Sequence, residues 1–530
     1  MWETRTSPDN NTKAVVIRDR RFGVLAFGPC SPASGWCHNG PVTALRLTRH
    51  NLDKLDIPVP GYDRSGVTTG IVHIGVGGFH RAHQAMYVDR LLTAGVASEW
   101  GICGMGVLPG DARMRDALVA QDYLYTLVLK HPDGHREARV IGSIVDYVLA
   151  PDDPAAAVAR LADPRTKIVS LTVTEGGYNI KNATGEFDTT NAGVQHDLAS
   201  PDSPKTTFGL VVAALAARRA AGVAPFTVMS CDNIQGNGDV ARAVFTSFAS
   251  LVDPELAEWV QSRVSFPNCM VDRITPQTTD VDRAELAEQF GVIDAWPTVC
   301  EPFVQWVLED AFPDGRPPFE LAEVQVVDDV VPYEQMKLRL LNASHQGIAY
   351  FGTLAGHTYV HDAMADELFA PFLLAYMRDE ALPTLGAVPG VDLHAYCDEL
   401  IQRFSNPQVA DTCARLAFDG SERVTKFLLP VVVDRRTAGK ASPLSAAICA
   451  SWARYCEDTD EQGEPITVED QRVDQLRAAA GQQDDALAFL RQRDLFGDLV
   501  DTPEFTDPYL ETLGSLHEHG ARATLAALLG

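Results

Sequence analysis

The sequence predicts an α/β fold in two parts: an N-terminal domain built on a parallel sheet over residues 46–330, and a mainly α-helical C-terminal domain over residues 331–530. Three observations predict it. A short apolar run at residues 70–74 leads directly into a glycine-rich turn and a helical pattern, which is how a sheet with crossover helices begins. Strand-like and helix-like segments then alternate as far as about residue 330. Beyond that point the apolar residues recur mainly at helical spacing, so the domain boundary is placed there.

The glycine-rich turn at residues 75–78 indicates a Rossmann-type domain that binds a dinucleotide. Strand, glycine-rich turn and helix (here around residues 85–94) form the phosphate-binding start of that fold. Glycine lets the backbone approach a pyrophosphate, and the helix start supplies N–H donors. His80 stands where the usual pattern has a third glycine, so an ordinary tight turn is the alternative. The residues expected to contact the cofactor here are Ile74, Gly75, Val76, Gly77, Gly78, Phe79, His80 and Arg81.

The second predicted strand, at residues 100–108, ends in Pro109-Gly110-Asp111. In this fold a carboxylate at the end of the second strand hydrogen-bonds the adenosine ribose and favours NAD over NADP. Asp111 is therefore the candidate for selecting NAD. The alternative is an aspartate that only stabilises its turn, as Asp commonly does next to Pro and Gly.

The α/β alternation continues through further elements. Strands are expected at residues 123–129 and 140–148, joined by a hairpin turn at Asp133-Gly134. Helices are expected at residues 152–160, where aspartates precede the helical pattern, and at residues 206–220.

Two buried strands, at residues 167–174 and 226–231, each end in a polar, glycine-rich loop. In an open α/β sheet, ligands bind beyond the carboxyl ends of the strands. We therefore expect Glu175, Asp232 and Asn233 beside the nicotinamide of a bound cofactor. Two ordinary strand-to-helix turns are the alternative.

The C-terminal part is expected to consist of helices, and the first of them is chemically the most informative. Helical patterns lie at residues 336–356, 363–380, 392–405, 406–416, 441–457, 466–480, 485–494 and 509–529. The first carries Lys337, Asn342 and His345, and at about 100° per residue Lys337 lies within about 140° of the other two. A potential base, an amide and an imidazole are thus placed to line one wall of a cleft. The alternative is an amphipathic helix with a solvated lysine and a structural histidine.

Composition and charge argue against several classes of function. The formal net charge of −27 argues against nucleic acid or an anionic membrane as partner. The longest apolar run, at residues 208–217, is too short to span a bilayer. The ten cysteines show no CxxC pair and no Cys/His metal spacing, which predicts reduced thiols in a cytoplasmic protein and no bound metal. Residues 1–45 lack periodicity and predict a disordered extension or a start codon placed too far upstream.

Three motifs connect these separate features. They are Gly-x-Gly-x-Phe-His-Arg-x-His from Gly75, Val-Asp-Arg-Ile-Thr-Pro at residues 271–276, and Lys-x4-Asn-x2-His from Lys337. In this combination the sequence resembles the polyol-specific long-chain dehydrogenase/reductase family, also called the mannitol dehydrogenase family. The resemblance covers nearly all of the chain after residue 45, and it makes His80 a match to the family instead of a departure from the general pattern.

The resemblance implies a role for each matching residue. Lys337 is the general base, and Glu334, about one helical turn earlier, relays its proton to solvent. Asn233 and Asn342 donate hydrogen bonds to the reacting oxygen, and His345 binds a neighbouring hydroxyl. Lysine can serve as the base if burial and nearby cations lower its pKa toward neutrality.

The resemblance also implies three substrate-binding positions: Asp272, which binds a hydroxyl or orients the lysine, and Arg415 and Arg423, which reach into the active site. For the loop that carries the two arginines, a surface salt-bridge cluster is the alternative. Arg423 stands where the family has a lysine, and Thr425 stands where it usually has a proline. A guanidinium and an ammonium differ in geometry and hydration, so the exchange alters how a substrate hydroxyl is held.

The activity that the resemblance implies is an NAD-dependent, metal-independent interconversion of D-mannitol and D-fructose, with hydride transfer at C2. The same chemistry on D-arabinitol, D-sorbitol, fructuronate or tagaturonate is one alternative, and a non-catalytic dinucleotide-binding protein is another. The expected partner is a small polyol or ketose, with no nucleic acid and no membrane, and the chain is expected to be a monomer or a weak homo-oligomer.

Overall fold

The computed structural model describes residues 44–181, 186–482 and 484–530, except for the side chain of Glu175. The extension predicted over residues 1–45 therefore lies outside the described residues, apart from its last two. Leu45 already belongs to a strand, β1 (Leu45–Arg46), which pairs in parallel with residues 292 and 293.

In the described chain as far as about residue 330, strands and helices alternate as predicted. The strands after β1 are β2 (Thr69–Ile74), β3 (Gly101–Gly106), β4 (Tyr125–Lys130), β5 (Arg136–Ile141), β6 (Ile144–Leu149), β7 (Ile168–Leu171), β8 (Thr227–Ser230), β9 (Cys269–Asp272), β10 (Val292–Ile293), β11 (Thr298–Cys300), β12 (Gln305–Glu309) and β13 (Gln325–Val327). The helices are α1 (Gly78–Ala82), α2 (Gln84–Thr93), α3 (Ala112–Val119), α4 (Pro154–Ala162), α5 (Ala192–Ala199), α6 (Thr207–Ala221), α7 (Asn237–Val252), α8 (Pro254–Arg263) and α9 (Asp280–Phe290).

A parallel sheet with the strand order β6-β3-β2-β7-β8 forms the centre of this half. Every residue of β3, β7 and β8 is buried, which is typical of a parallel sheet covered on both faces. Because β2, β7 and β8 are neighbours, the glycine-rich turn after β2 and the polar loops after β7 and β8 meet at one edge of the sheet. The predicted α/β class is confirmed.

The single strand predicted at residues 140–148 is wrong. This segment forms β5 and β6, which belong to different sheets: β5 pairs with β4 in the sheet β11-β4-β5, and β6 pairs with β3. The interruption lies at Gly142, whose N–H donates to Asp89 and whose carbonyl accepts from Arg64. Side chains thus take the bonds that a neighbouring strand would make, so the ladder stops there.

The C-terminal half is mainly helical, as predicted. Its helices are α10 (Val331–Met336), α11 (Ala343–Leu354), α12 (Val360–Ala365), α13 (Phe369–Ala375), α14 (Leu393–Phe404), α15 (Cys413–Ala417), α16 (Gly420–Arg423), α17 (Leu429–Thr437), α18 (Pro443–Tyr455), α19 (Val473–Ala480), α20 (Arg493–Phe496) and α21 (Pro503–Leu529). They enclose one apolar core, to which α11 and α18 contribute fully buried faces. Among the described residues, no helix combines the length and the apolar character needed to cross a bilayer.

Two of the predicted helices are largely wrong. Residues 406–412 are not helical, and α15 begins only at Cys413, because Pro407 has no N–H to donate and Ala410 has a φ of +51°. The helix expected at residues 485–494 is replaced by turns up to α20. There the side chain of Asp485 accepts the N–H of Leu487, a local bond that competes with a helix. Helix α17 was not predicted.

Candidate active site

The helix predicted to carry the catalytic residues contains a π-helical turn, Lys337–Asn342, between α10 and α11. The N–H of Ala343 donates to the carbonyl of Leu338, which is the i→i+5 bond of such a turn. The predicted angle of about 140° between Lys337 and Asn342 assumed a regular α-helix and is therefore wrong. A π turn brings residues five apart closer to one face, and such turns are frequent at functional sites.

Lys337 is buried, and its amine is held by two neutral oxygens. The Nζ donates to the amide Oδ1 of Asn233 at 2.5 Å and to the carbonyl of Val271 at 2.8 Å. Burial lowers the pKa of Lys337, while the nearby Asp272 carboxylate acts in the opposite direction. An amine in this state is suited to accept a proton from a substrate hydroxyl.

A cleft opens beside this amine. It is lined by Asp232, Asn233, Ile234, Gln235, Cys269, Met270, Val271, Glu334, Lys337 and Leu338. Burial raises the pKa of Glu334 to about 7, and its Oε1 accepts the N–H of Gly236 at 3.0 Å. A carboxyl group that titrates near neutral pH, three residues before the lysine, can both take up and release a proton.

A second cleft contains His345. Its other lining residues are Ile274, Val360, His361, Arg403, Phe404, Asn406, Val409 and Asp411. Burial lowers the pKa of His345 to about 3, so the ring is neutral and can donate one hydrogen bond and accept another. Within the described chain the buried Oδ1 of Asn342 has no hydrogen-bond partner, which suits it to accept a bond from a ligand hydroxyl.

Asp272, at the end of β9, interacts electrostatically with both Lys337 and His345. Burial by itself raises the pKa of Asp272. The opposing effect of nearby groups is larger, so the pKa is lowered overall; Arg403 contributes most to this, followed by Lys337 and His345. The carboxylate is therefore ionised, with Arg403 donating to its two oxygens at 2.8 and 2.9 Å.

The glycine-rich turn after β2 has the geometry that close approach of a ligand requires. Gly75 has a φ of +93°, and a Cβ at this position would lie 2.1 Å from the carbonyl oxygen of Thr172, so only glycine fits. A Cβ at Gly77 would meet no atom nearer than 3.9 Å, so the outer side of the turn is open. These residues fit the pyrophosphate of a dinucleotide.

His80 and Arg81 lie beneath this turn instead of on its open side, and each has only 1% of its surface exposed. The His80 ring stacks on His73 with 3.4 Å between ring centroids. The Arg81 guanidinium donates to the carbonyls of Gly77 and Trp296. Their side chains hold the turn in place, so a contact of His80 with a cofactor would use its backbone. The backbone N–H of Arg81 already donates to the carbonyl of Gly77 and its carbonyl accepts from Tyr125, so contact of Arg81 with a cofactor remains a prediction.

The carboxylates of Asp111 and Asp232 organise their own loops. Asp111 accepts two backbone N–H groups of the turn after β3, both at 2.9 Å, as the turn alternative expected. Asp232 accepts the N–H of Thr174 at 2.8 Å and the hydroxyl of Tyr178 at 2.7 Å, which ties the loop after β8 to the loop after β7. The contribution of Asp111 to the choice of NAD remains a prediction. The placement of Glu175 beside the nicotinamide also remains a prediction, and the side chain of Glu175 lies outside the described part.

Known proteins share both halves of this architecture. The chain matches the family described as "Mannitol dehydrogenase Rossmann domain" over residues 69–321, and "Mannitol dehydrogenase C-terminal domain" over residues 329–517. The mannitol 2-dehydrogenase of Phaeosphaeria nodorum is 46% identical to it over 91% of this chain and 85% of that protein. The chain belongs to the mannitol dehydrogenase family. The resemblance inferred from the three motifs is thereby confirmed.

Two solved structures align with this mannitol dehydrogenase family member over nearly their whole length. Pseudomonas fluorescens mannitol 2-dehydrogenase, solved as a ternary complex with NAD and D-mannitol, aligns with a TM-score of 0.84 at 45% identity, covering 92% of this chain and 99% of that chain. A D-sorbitol dehydrogenase in substrate-free form aligns with a TM-score of 0.83 at 40% identity, covering 90% and 100% of the two chains.

Of the residues predicted to act on the substrate, Asn233, Glu334 and Lys337 line the first cleft and His345 lines the second. The other four, which are Asn342, Asp272, Arg415 and Arg423, lie outside both linings. The side chain of Arg415 is 55% exposed and pairs with Asp411, which does line the second cleft. Arg423 donates to the carbonyls of Arg415 and Leu416. Contact of these two arginines with a substrate therefore remains a prediction.

The charged residues at the site that were missed include Arg403 and Glu301. Arg403 lies on the buried face of α14, three residues after Leu400 and seven after Tyr396, which are both buried as well. A charged residue at an apolar position of an amphipathic helix is the signal that identifies it. Glu301 follows β11 and had no comparable signal.

Proposed function

We propose that this protein oxidises D-mannitol to D-fructose with NAD and catalyses the reverse reduction. The observation that carries the proposal is the buried Lys337 amine, whose pKa is lowered and which lies beside the loop that follows β8. That loop meets the open glycine-rich turn at one edge of the sheet. The relative solved with NAD and D-mannitol, at 45% identity, supports the choice of both ligands.

In the proposed mechanism, Lys337 accepts the proton of the C2 hydroxyl. The nicotinamide, when bound, supplies the acceptor for the hydride from C2. Because the Oδ1 of Asn233 accepts from Lys337, the amide N–H groups of Asn233 are the donors directed to the oxygen as it becomes a carbonyl. Asn342 donates a second hydrogen bond to that oxygen, the neutral His345 holds a neighbouring hydroxyl, and Asp272 fixes the orientation of the polyol.

The proton leaves Lys337 through Glu334 in this proposal. The pKa of Glu334, raised by burial to about 7, lets the group accept a proton and release it again near neutral pH. Its position in the same cleft, three residues earlier in the chain, supports the relay. In the reverse reduction the same groups act in the opposite order.

We also propose that the reaction proceeds without a metal ion. A lysine base and amide donors supply the two functions, proton acceptance and stabilisation of the oxygen, for which a metal is used in other alcohol dehydrogenases.

D-Sorbitol is the second candidate substrate, because a D-sorbitol dehydrogenase aligns with a TM-score of 0.83. The two hexitols are epimers at C2, the carbon that is oxidised, so they differ in how the C2 hydrogen and hydroxyl are placed relative to the nicotinamide and Lys337. A non-catalytic dinucleotide-binding protein is disfavoured by the intact set of Lys337, Asn342 and His345.

The test measures the formation of NADH from NAD, or of NADPH from NADP, by absorbance. The substrates are D-mannitol, D-sorbitol, D-arabinitol and the reduced forms of fructuronate and tagaturonate. We expect D-mannitol with NAD to give the highest kcat/KM. A higher value with another substrate would reassign the substrate while keeping the chemistry. Absence of turnover with every polyol would refute the proposed function.

A further inference from the structure

Arg403 connects the two halves of the protein at the active site. It belongs to α14, while the acids that it binds, Asp272 and Glu301, belong to the nucleotide-binding half. Its Nη1 and Nη2 bind the two oxygens of Asp272 at 2.8 and 2.9 Å, and its Nε and Nη2 bind those of Glu301 at 3.0 and 2.8 Å. The guanidinium also lies over the ring of Phe303, 3.9 Å from the centroid.

This arrangement requires the shape of arginine as well as its charge. A planar fork satisfies two carboxylates at once and still stacks on an aromatic ring, whereas the compact ammonium of lysine cannot do both. The three charged side chains are at most 5% exposed, so water screens their interaction little.

Asp272, which Arg403 binds, is adjacent in the chain to the residue that holds the amine of Lys337. Asp272 follows Val271 directly, and the carbonyl of Val271 accepts one of the two hydrogen bonds from the Lys337 amine. A shift of the end of β9 would therefore displace the partner of Lys337 together with the Asp272 carboxylate.

We propose that Arg403 is a positioning residue for the oxidation: it fixes the ionised Asp272 and the end of β9, and thereby sets both the placement and the proton affinity of Lys337. The inference rests on the proposed function, in which Lys337 is the base.

The direction of the effect follows from the charges around Asp272. The titratable groups that face it are Arg403, Lys337, His345, Glu301, Tyr396 and His83. Burial raises the pKa of Glu301, so Glu301 takes up a proton if the guanidinium is removed and Asp272 stays ionised. Lys337 then loses a repelling cation while the attracting anion stays in place, so the loss of the cation raises its pKa.

The experiment compares Arg403→Gln and Arg403→Lys with the wild type over the pH range, using D-mannitol or whichever polyol the substrate panel identifies. Activity rises with pH as Lys337 loses its proton. In Arg403→Gln the midpoint of this rise should lie about one pH unit higher than in the wild type. It should also lower kcat/KM by about 10–100-fold, the range that a loss of orientation produces. Arg403→Lys keeps a cation and should leave the rise within about 0.3 pH units of wild type, while still lowering kcat through the lost fork.

Arg218→Gln is the matched control. Arg218 is also buried, 1% exposed, but it donates only to backbone carbonyls in the nucleotide-binding half, such as that of Ala224 at 2.8 Å. It should lower the melting temperature without moving the pH dependence. If Arg403→Gln does not fold, the double variant Glu301→Gln/Arg403→Gln replaces it, with the same expected upward shift, because it removes an acid together with the cation.

An unmoved pH dependence in the folded Gln variant, or an equal shift in Arg218→Gln, would overturn the role of Arg403 and leave the proposed function intact. A wild-type protein without polyol turnover would instead refute the proposed function, and this inference with it. NADH binding, measured by fluorescence, should be unchanged in both Arg403 variants.

Discussion

Replacing Lys337 with alanine tests the proposed chemistry most directly. Among the described residues, Lys337 supplies the only amine that lines the first cleft, and the substitution removes it together with its hydrogen bonds to Asn233 and Val271. Loss of one general base lowers the rate by roughly 10²–10⁴-fold. This corresponds to about 3–5 kcal/mol of transition-state stabilisation, at about 1.4 kcal/mol for each factor of ten.

The cost in folding stability should be smaller. Two hydrogen bonds are lost, each of which contributes about 1 kcal/mol, and the penalty for burying an amine disappears at the same time. The glycine-rich turn lies on other elements, β2 and α1, so the Kd for NADH should stay within about twofold of wild type. The variant is thus expected to be folded, to bind the cofactor and to lack turnover.

The assay measures steady-state formation of NADH from D-mannitol, together with NADH binding by fluorescence. Lys130→Ala is the matched control, because Lys130 has the same 8% exposure as Lys337 but pairs with Asp282 at 2.6 Å instead of lining a cleft. It should lose stability and keep kcat. Added methylamine should partly restore turnover to Lys337→Ala by entering the space of the lost amine. Turnover of Lys337→Ala within tenfold of wild type would show that the base lies elsewhere.

Three further predictions concern other groups. Asp111→Ala should lower the ratio of kcat/KM for NAD to that for NADP by about tenfold, because a carboxylate at the ribose repels a 2′-phosphate. Asp111→Asn removes the charge but keeps an acceptor for the turn. Equal ratios in the wild type and both variants would show that Asp111 is only a turn residue. Burial raises the pKa of Glu334 from 4.5 to about 7, so the folded state binds this proton more tightly than the unfolded state, and the resulting stability is lost as the pH rises toward and through 7. Melting temperatures from pH 4 to 8 should show this loss in wild type and a smaller one in Glu334→Gln, and parallel curves would contradict it. Exhaustive chelation should leave activity unchanged, whereas a loss that zinc reverses would overturn the metal-free mechanism.

The sequence by itself determined the order of the main elements and singled out the candidate reacting groups. Glycine at position 75, the apolar runs that became β2, β7 and β8, and the spacing of Lys337, Asn342 and His345 are local features. Their conformational consequences act between neighbours in the chain, so they can be read without knowing the fold. The α/β class and the family followed from them correctly.

The tertiary structure alone decided how these groups interact. Arg403 binds Asp272 across 131 residues, and residues 140–148 split because Arg64 and Asp89 reach Gly142 from elsewhere in the chain. The π turn at Lys337 likewise departs from the regular helix that its periodicity predicted. The pKa values of Lys337 and Glu334 shift because surrounding elements remove water from them, and desolvation depends on what packs around a group, which local sequence does not encode.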